Sequence, residues 1–134
     1  MKAVFADTVY FLALLNRSDH LHRQALSLSL NPPGPLLTSE FILLELGDAL
    51  SRPENRARFT RVVQVLKANR DVEVVPVSTA LFGEGYELHM SRVDKAWSLT
   101  DCTSFAIMNK RGIKRALTSD HHFQQAGFEA LMFA

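Results

Sequence analysis

The chain has 134 residues, 47% of them apolar and 22% charged, with a formal net charge of +1 and a single cysteine, Cys102. This length suits one domain with one sizeable core; the lone cysteine excludes an internal disulfide and a cysteine-rich zinc site. The longest apolar run, Val9 to Leu15, is far too short to cross a bilayer, and the near-neutral balance excludes nucleic-acid binding through global charge alone.

Lys2 to Ala6 reads as a buried strand with no cleavable leader pattern, so the expected compartment is the cytoplasm. Thr8 to Leu15 is apolar nearly all round and predicts a buried helix. Ser18 or Asp19 can cap a second helix that packs through Leu21, Ala25 and Leu28. Asn31 to Pro35 is a loop, because its prolines forbid regular structure. Leu36 to Thr38 is a second strand, and Ser39 is placed to cap a helix running to about Arg52, where Pro53 breaks or restarts it. The next helix carries Phe59, Val62, Val63 and Leu66 on one face.

Asp71 to Val77 gives a third strand, and Ser78 opens a helix packing through Leu81, Gly85 and Leu88. Ser91 to Leu99 is a polar loop that contains Trp97. Thr100 caps a helix with Cys102, Phe105 and Ala106 on one stripe, ended by Gly112. Ile113 to Thr118 is a fourth strand, Asp120 to Ala126 a short helix, and Phe128 to Phe133 a last strand. No repeat or linker divides residues 1–134, which read as a single domain. Strands alternating with helices define an α/β fold with a parallel sheet covered on both faces.

Four acids stand in or against apolar stretches: Asp7 in KAVFADTVYFLALL, Glu45 in FILLELGDAL, Asp101 in WSLTDCTSFAIM and Asp120 in RALTSDHHF. A lone carboxylate in such surroundings costs several kcal/mol or takes up a proton. A shared hard divalent cation is the simplest partner for four of them. Asp7 and Asp120 follow strands, Asp101 lies in the first turn of a helix, and Glu45 lies about two turns into another. All four can reach the sheet edge at which α/β proteins bind ligands.

Each acid also has a plainer reading. Asp7, Asp101 and Asp120 are all placed to serve as helix-capping residues. Glu45 sits mid-helix, where no cap is possible; its alternative is an ion pair with Arg52 or Arg115. His121 and His122 are adjacent, and on a helix their side chains would point about 100° apart, so they read as first-turn surface or partly buried residues rather than ligands. Cys102 reads as a core residue. Trp97 is placed either to stack on a base or to pack over the sheet edge. The basic run Arg52, Arg56, Arg58, Arg61, Lys67 and Arg70 reads as a solvated helix face or as a phosphate-steering edge, with Arg52 and Arg56 nearest the acids in sequence.

The segments FADTVYFLALLN (5–16), TSEFILLELGDAL (38–50), DKAWSLTDCTSFAIM (94–108) and TSDHHFQQAGF (118–128), in that order, resemble the PIN-domain family and its VapC-type toxin ribonucleases. The resemblance implies a three-layer α/β/α fold with a five-stranded parallel sheet in order 3-2-1-4-5. It maps the family's acidic, metal-binding positions onto Asp7, Glu45, Asp101 and Asp120. Thr100 and Thr118 match hydroxyl positions that orient acids or metal waters, and Thr8 joins them as a supporting residue. Val9 departs from the pattern, which favours a small hydroxyl residue there.

The same resemblance implies an Mg²⁺- or Mn²⁺-dependent endoribonuclease, the toxin of a toxin–antitoxin pair, with RNA as substrate, an antitoxin protein as partner and a homodimeric state. Hydrolysis by a metal-activated water would leave 5′-phosphate and 3′-hydroxyl ends. The alternative from another class is a PIN-fold module that binds RNA or protein without cleaving. A haloacid-dehalogenase-type enzyme also places an Asp after its first strand, but needs a second Asp two residues on, where this chain has Val9.

Overall fold

The structure, a computed structural model, describes residues 2–133; Met1 and Ala134, the ends of the expected domain, lie outside the described residues. Strands β1 (Val4–Ala6), β2 (Leu36–Ser39), β3 (Val72–Val75), β4 (Arg115–Leu117) and β5 (Glu129–Ala130) form one parallel sheet in the order β3-β2-β1-β4-β5. Phe5 pairs with Leu37 on one side and with Ala116 on the other. The central strand is fully buried because helices cover both faces, which is why Val4, Phe5 and Ala6 are all apolar.

The helices are α1 (Thr8–Leu15), α2 (His22–Leu30), α3 (Glu40–Ala49), α4 (Pro53–Ala68), α5 (Thr79–Ser91), α6 (Leu99–Arg111) and α7 (His121–Gln125). Several sequence expectations shift at element ends: β3 is Val72–Val75 rather than Asp71–Val77, β4 is Arg115–Leu117 rather than Ile113–Thr118, and α2 begins after Leu21 rather than after Ser18 or Asp19. Helix α3 stops at Ala49 rather than near Arg52, and Pro53 restarts the chain as α4 as expected, since a proline at the first helical position loses no hydrogen bond. The last strand shrinks to Glu129–Ala130 instead of reaching Phe133; the Leu131 amide still bonds the Ala116 carbonyl of β4, and the Met132 amide bonds the Thr118 carbonyl past the end of β4. Gly112 ends α6 in the left-handed region at φ 66°.

Two packing features position the functional edge. Phe105 of α6 meets Trp97, Phe123 of α7 and Phe128 at ring-centroid distances of 5.1, 4.9 and 5.6 Å. Burying rings of this size stabilises by roughly 2–3 kcal/mol each, and the cluster locks the start of α6 against the start of α7. Gly85 of α5 lets α6 approach closely: a Cβ there would lie 2.6 Å from Thr103 Cγ2. Among the described residues, no helix is long and apolar enough to cross a membrane.

Candidate active site

The strands end together, and the acids gather beyond those ends. Asp7 follows β1 and is 4% exposed. It occupies the N-cap position of α1, yet its side chain makes no capping bond. Instead it accepts a 2.8 Å hydrogen bond from Thr118 Oγ1. The plain capping role therefore fails for Asp7. Burial pushes its pKa up to about 7, with the Thr118 hydrogen bond opposing that rise and the charges of Asp101 and Glu45 adding to it.

Glu45 points back to the strand ends. Thr8 Oγ1, one residue after Asp7, donates a short hydrogen bond to Glu45 Oε1. Neither Arg52 nor Arg115 neutralises it: Arg52 is exposed at the N-cap of α4, and Arg115 Nη2 lies against the Lys2 and Pro33 carbonyls. Among the described residues, neither Asp7 nor Glu45 has a cationic side chain within ion-pair distance.

For Asp101 and Asp120 the capping geometry is real, and it fixes where they sit. Ser98 caps α6 and forms a capping box with Asp101: Ser98 Oγ accepts from the Asp101 amide at 2.9 Å, and Asp101 Oδ2 accepts from the Ser98 amide at 3.1 Å. This corrects the expectation that Thr100 is the cap. Thr100 lies inside α6, and its carbonyl accepts from Thr103 Oγ1. Asp120 caps α7 through the His122 amide at 2.9 Å, while the Asp120 amide donates to Thr118 Oγ1 at 3.0 Å. Thr118 thus links Asp7 to Asp120.

One residue joins the remaining pair, and sequence reasoning misses it. His122 Nδ1 lies 3.1 Å from Asp101 Oδ2 and 3.4 Å from Asp120 Oδ1. The signal available is the Asp-His-His run itself. Trp97 falls on the packing side of its two readings: it is 5% exposed, Nε1 donates to Gln125 Oε1 at 3.0 Å, and Arg92 lies over the ring at 5.0 Å. It offers no open face to a base. Arg56 is exposed and donates to the Ser51 carbonyl, and Cys102 is buried in the core.

The donor set suits a hard divalent cation. The charges of Asp101 and Glu45 act on Asp7, neither Asp7 nor Glu45 has a cationic partner among the described residues, and burial and like charge push the Asp7 pKa up. An all-parallel α/β sheet with such an edge defines a class of acidic-site α/β domains. The chain belongs to the PIN-domain family, whose domain matches residues 4–129. It is 31% identical over 125 residues to the 23S rRNA-specific endonuclease VapC20 of Mycobacterium tuberculosis, covering 93% of this chain and 95% of that protein. The crystal structure of M. tuberculosis VapC20, described as a sarcin-ricin loop cleaving toxin, matches with a TM-score of 0.85 at 29% identity, over 96% of this chain and 98% of that one. VapBC2 from Rickettsia felis, crystallised with a promoter DNA fragment, matches with a TM-score of 0.67 at 13% identity over 96% and 97% of the two chains. FitAcB from Neisseria gonorrhoeae matches with a TM-score of 0.64 at 14% identity over 95% and 94%, and these last two share the fold.

Proposed function

We propose that this chain is a metal-dependent endoribonuclease acting as the toxin of a toxin–antitoxin pair. The carrying observation is Asp7: a buried carboxyl pushed up to about 7 at the point where Glu45 and Asp101 add like charge. Such a group is costly to the fold unless something uses it. Asp7, Glu45, Asp101 and Asp120 would hold Mg²⁺ or Mn²⁺. When bound, the ion supplies charge neutralisation at the phosphate and a water of lowered pKa. Thr118 holds the Asp7 carboxylate in one orientation, Thr8 does the same for Glu45, and Ser98 and His122 hold Asp101. Positioned oxygens of this kind spare the site reorganisation when substrate arrives.

The likeness to VapC20 supports RNA as the substrate class and makes ribosomal RNA the first substrate to test. An antitoxin partner would cover the acidic edge, presenting Arg or Lys to the carboxylates. A homodimer is supported by the exposed stripe Phe82, Tyr86 and Met90 on α5, with Phe82 and Tyr86 stacked 6.3 Å apart. Arg52 and Arg56 stand as candidates for steering RNA backbone toward the site.

The decisive experiment incubates purified protein with ribosomal RNA in Mg²⁺, Mn²⁺ or EDTA. The expected result is a discrete fragment with a 5′-phosphate, absent with EDTA and absent in Asp7→Asn. Binding of RNA without cleavage in either metal would replace the nuclease by the non-catalytic RNA-binding reading.

A further inference from the structure

Two side chains beside the four acids carry nitrogen donors: His121, which the proposed reaction leaves unused, and His122, which holds Asp101. Asp120 has an extended backbone, with φ −74° and ψ 121°, so Asp120 and the two histidines span a bend. His121 and His122 are adjacent helical residues, yet their rings tilt back toward each other and toward the N-cap Asp120. The two imidazole centroids are 4.5 Å apart, tilted by 53°. His121 Nδ1 lies 3.7 Å from Asp120 Oδ1, and His122 Nδ1 lies 3.4 Å from that same oxygen. One donor atom from each of the three residues falls within 4.8 Å of the other two.

Those separations have a chemical meaning. With zinc–ligand bonds of about 2.0–2.1 Å in a tetrahedron, neighbouring donors stand about 3.3 Å apart. The spacings of 3.4 and 3.7 Å need only small rotamer shifts to reach that edge. Two imidazole nitrogens and one carboxylate form a borderline donor set that suits Zn²⁺, whereas Mg²⁺ takes oxygen ligands and keeps its waters.

We propose that Asp120, His121 and His122 form a second cation site, selective for Zn²⁺ over Mg²⁺, with its fourth position open toward Asp101. Asp101 Oδ2 is 3.1 Å from His122 Nδ1 and is the next oxygen within reach. Zinc binding displaces any proton on His122 Nδ1 and with it the hydrogen bond to Asp101. Asp120 is shared between the two sites, so zinc withdraws a carboxylate from the four-acid centre. Zinc is then an inhibitor of the Mg²⁺-dependent reaction. That consequence rests on the nuclease reading; the binding itself does not.

The test titrates Zn²⁺ into metal-free protein by calorimetry, with Co²⁺ absorption as a reporter of coordination, in wild type, His121→Ala, His122→Ala and Asp7→Asn. One zinc per chain is expected, weakened at least tenfold by either histidine change and within twofold of wild type in Asp7→Asn. The Co²⁺ spectrum should show intense four-coordinate bands that both histidine variants lose. His121 has a 70% exposed side chain, so its variant decides the matter even if His122→Ala misfolds by circular dichroism. Unchanged zinc affinity in folded His121→Ala overturns the site, and so does loss of zinc in Asp7→Asn, which would put the ion among the four acids. In the cleavage arm, equimolar Zn²⁺ should suppress Mg²⁺-dependent cleavage in wild type at least tenfold, and His121→Ala should relieve that ratio. A wild type that cleaves no RNA in any metal defeats the nuclease reading, while the titration still decides the zinc site.

Discussion

Thr118 Oγ1 donates to Asp7 Oδ2 at 2.8 Å while accepting from the Asp120 amide at 3.0 Å. A single buried hydroxyl at the end of β4 thereby sets the orientation of one acid and the backbone position of another. Thr118 is 0% exposed, so neither partner finds water in its place. Thr118→Val keeps the volume and removes both bonds. The expected cost is about 1–3 kcal/mol in denaturant unfolding. Because the hydroxyl lowers the Asp7 pKa, its loss should raise that pKa further and weaken Mg²⁺ binding at pH 7. A variant with native stability and native metal affinity would show that Thr118 is only filling space.

Asp7 makes the stability of the metal-free protein depend on pH. Its folded-state pKa is raised from 3.8 to about 7. The folded chain therefore binds a proton more tightly than the unfolded chain. Stability from this group is fully present below the unfolded pKa and is lost as pH rises through about 7. Asp7→Asn removes the penalty: at pH 8 without metal it should be more stable by a few kcal/mol at most, about 5 °C or more in Tm, with little gain at pH 5. Adding Mg²⁺ should stabilise the wild type at pH 8 and leave Asp7→Asn unmoved. An Asn variant that melts lower than wild type at both pH values would return Asp7 to a structural role.

Glu45 contributes charge without an ion-pair partner among the described residues, so its removal is readable at Asp7. Glu45→Gln keeps an oxygen to accept from Thr8 and removes the charge that helps raise the Asp7 pKa. Carboxyl-carbon NMR titration should show the Asp7 midpoint moving down in Glu45→Gln. RNA cleavage should fall by at least about 100-fold, the scale of losing one electrostatic element of a preorganised site. A stationary Asp7 midpoint would mean that the two carboxylates do not share a field.

How much of the fold and site is legible in the sequence differs by element. The apolar runs at Val4–Ala6 and Leu36–Leu37 and the Gly112 stop are local signals, and they survive into the fold nearly unchanged. That Glu45 faces the end of β1, bonded to Thr8, is legible because a mid-helix acid between leucines has no local explanation. Other features are decided by contacts from elsewhere in the chain. Trp97 is buried by Phe105 and held by Gln125, 28 residues away, and no loop pattern announces that. Ser98 rather than Thr100 caps α6 because a capping box needs its acid three residues on, and Asp101 fills that place for Ser98. Helical azimuth alone does not announce that the two imidazoles stand 4.5 Å apart beside Asp120, because side-chain rotamers set that spacing.

The last relationship couples packing to the site. Gly85 faces Thr103 so closely that an added Cβ would stand 2.6 Å from Thr103 Cγ2 and 3.1 Å from its backbone. Replacing glycine by alanine in a helix interior normally gains up to about 1 kcal/mol. Here overpacking should win, and Gly85→Ala is expected to lose about 1–3 kcal/mol by pushing α5 off α6. Helix α6 carries Asp101 two residues before Thr103, so RNA cleavage should fall along with stability. Thr103→Ser in the Gly85→Ala chain deletes the clashing Cγ2 and keeps the hydroxyl that donates to the Thr100 carbonyl at 2.7 Å. It should restore more than half of the lost stability, and cleavage with it. If Gly85→Ala instead raises the melting temperature, the two helices have room to slide and the position of Asp101 does not depend on their close approach.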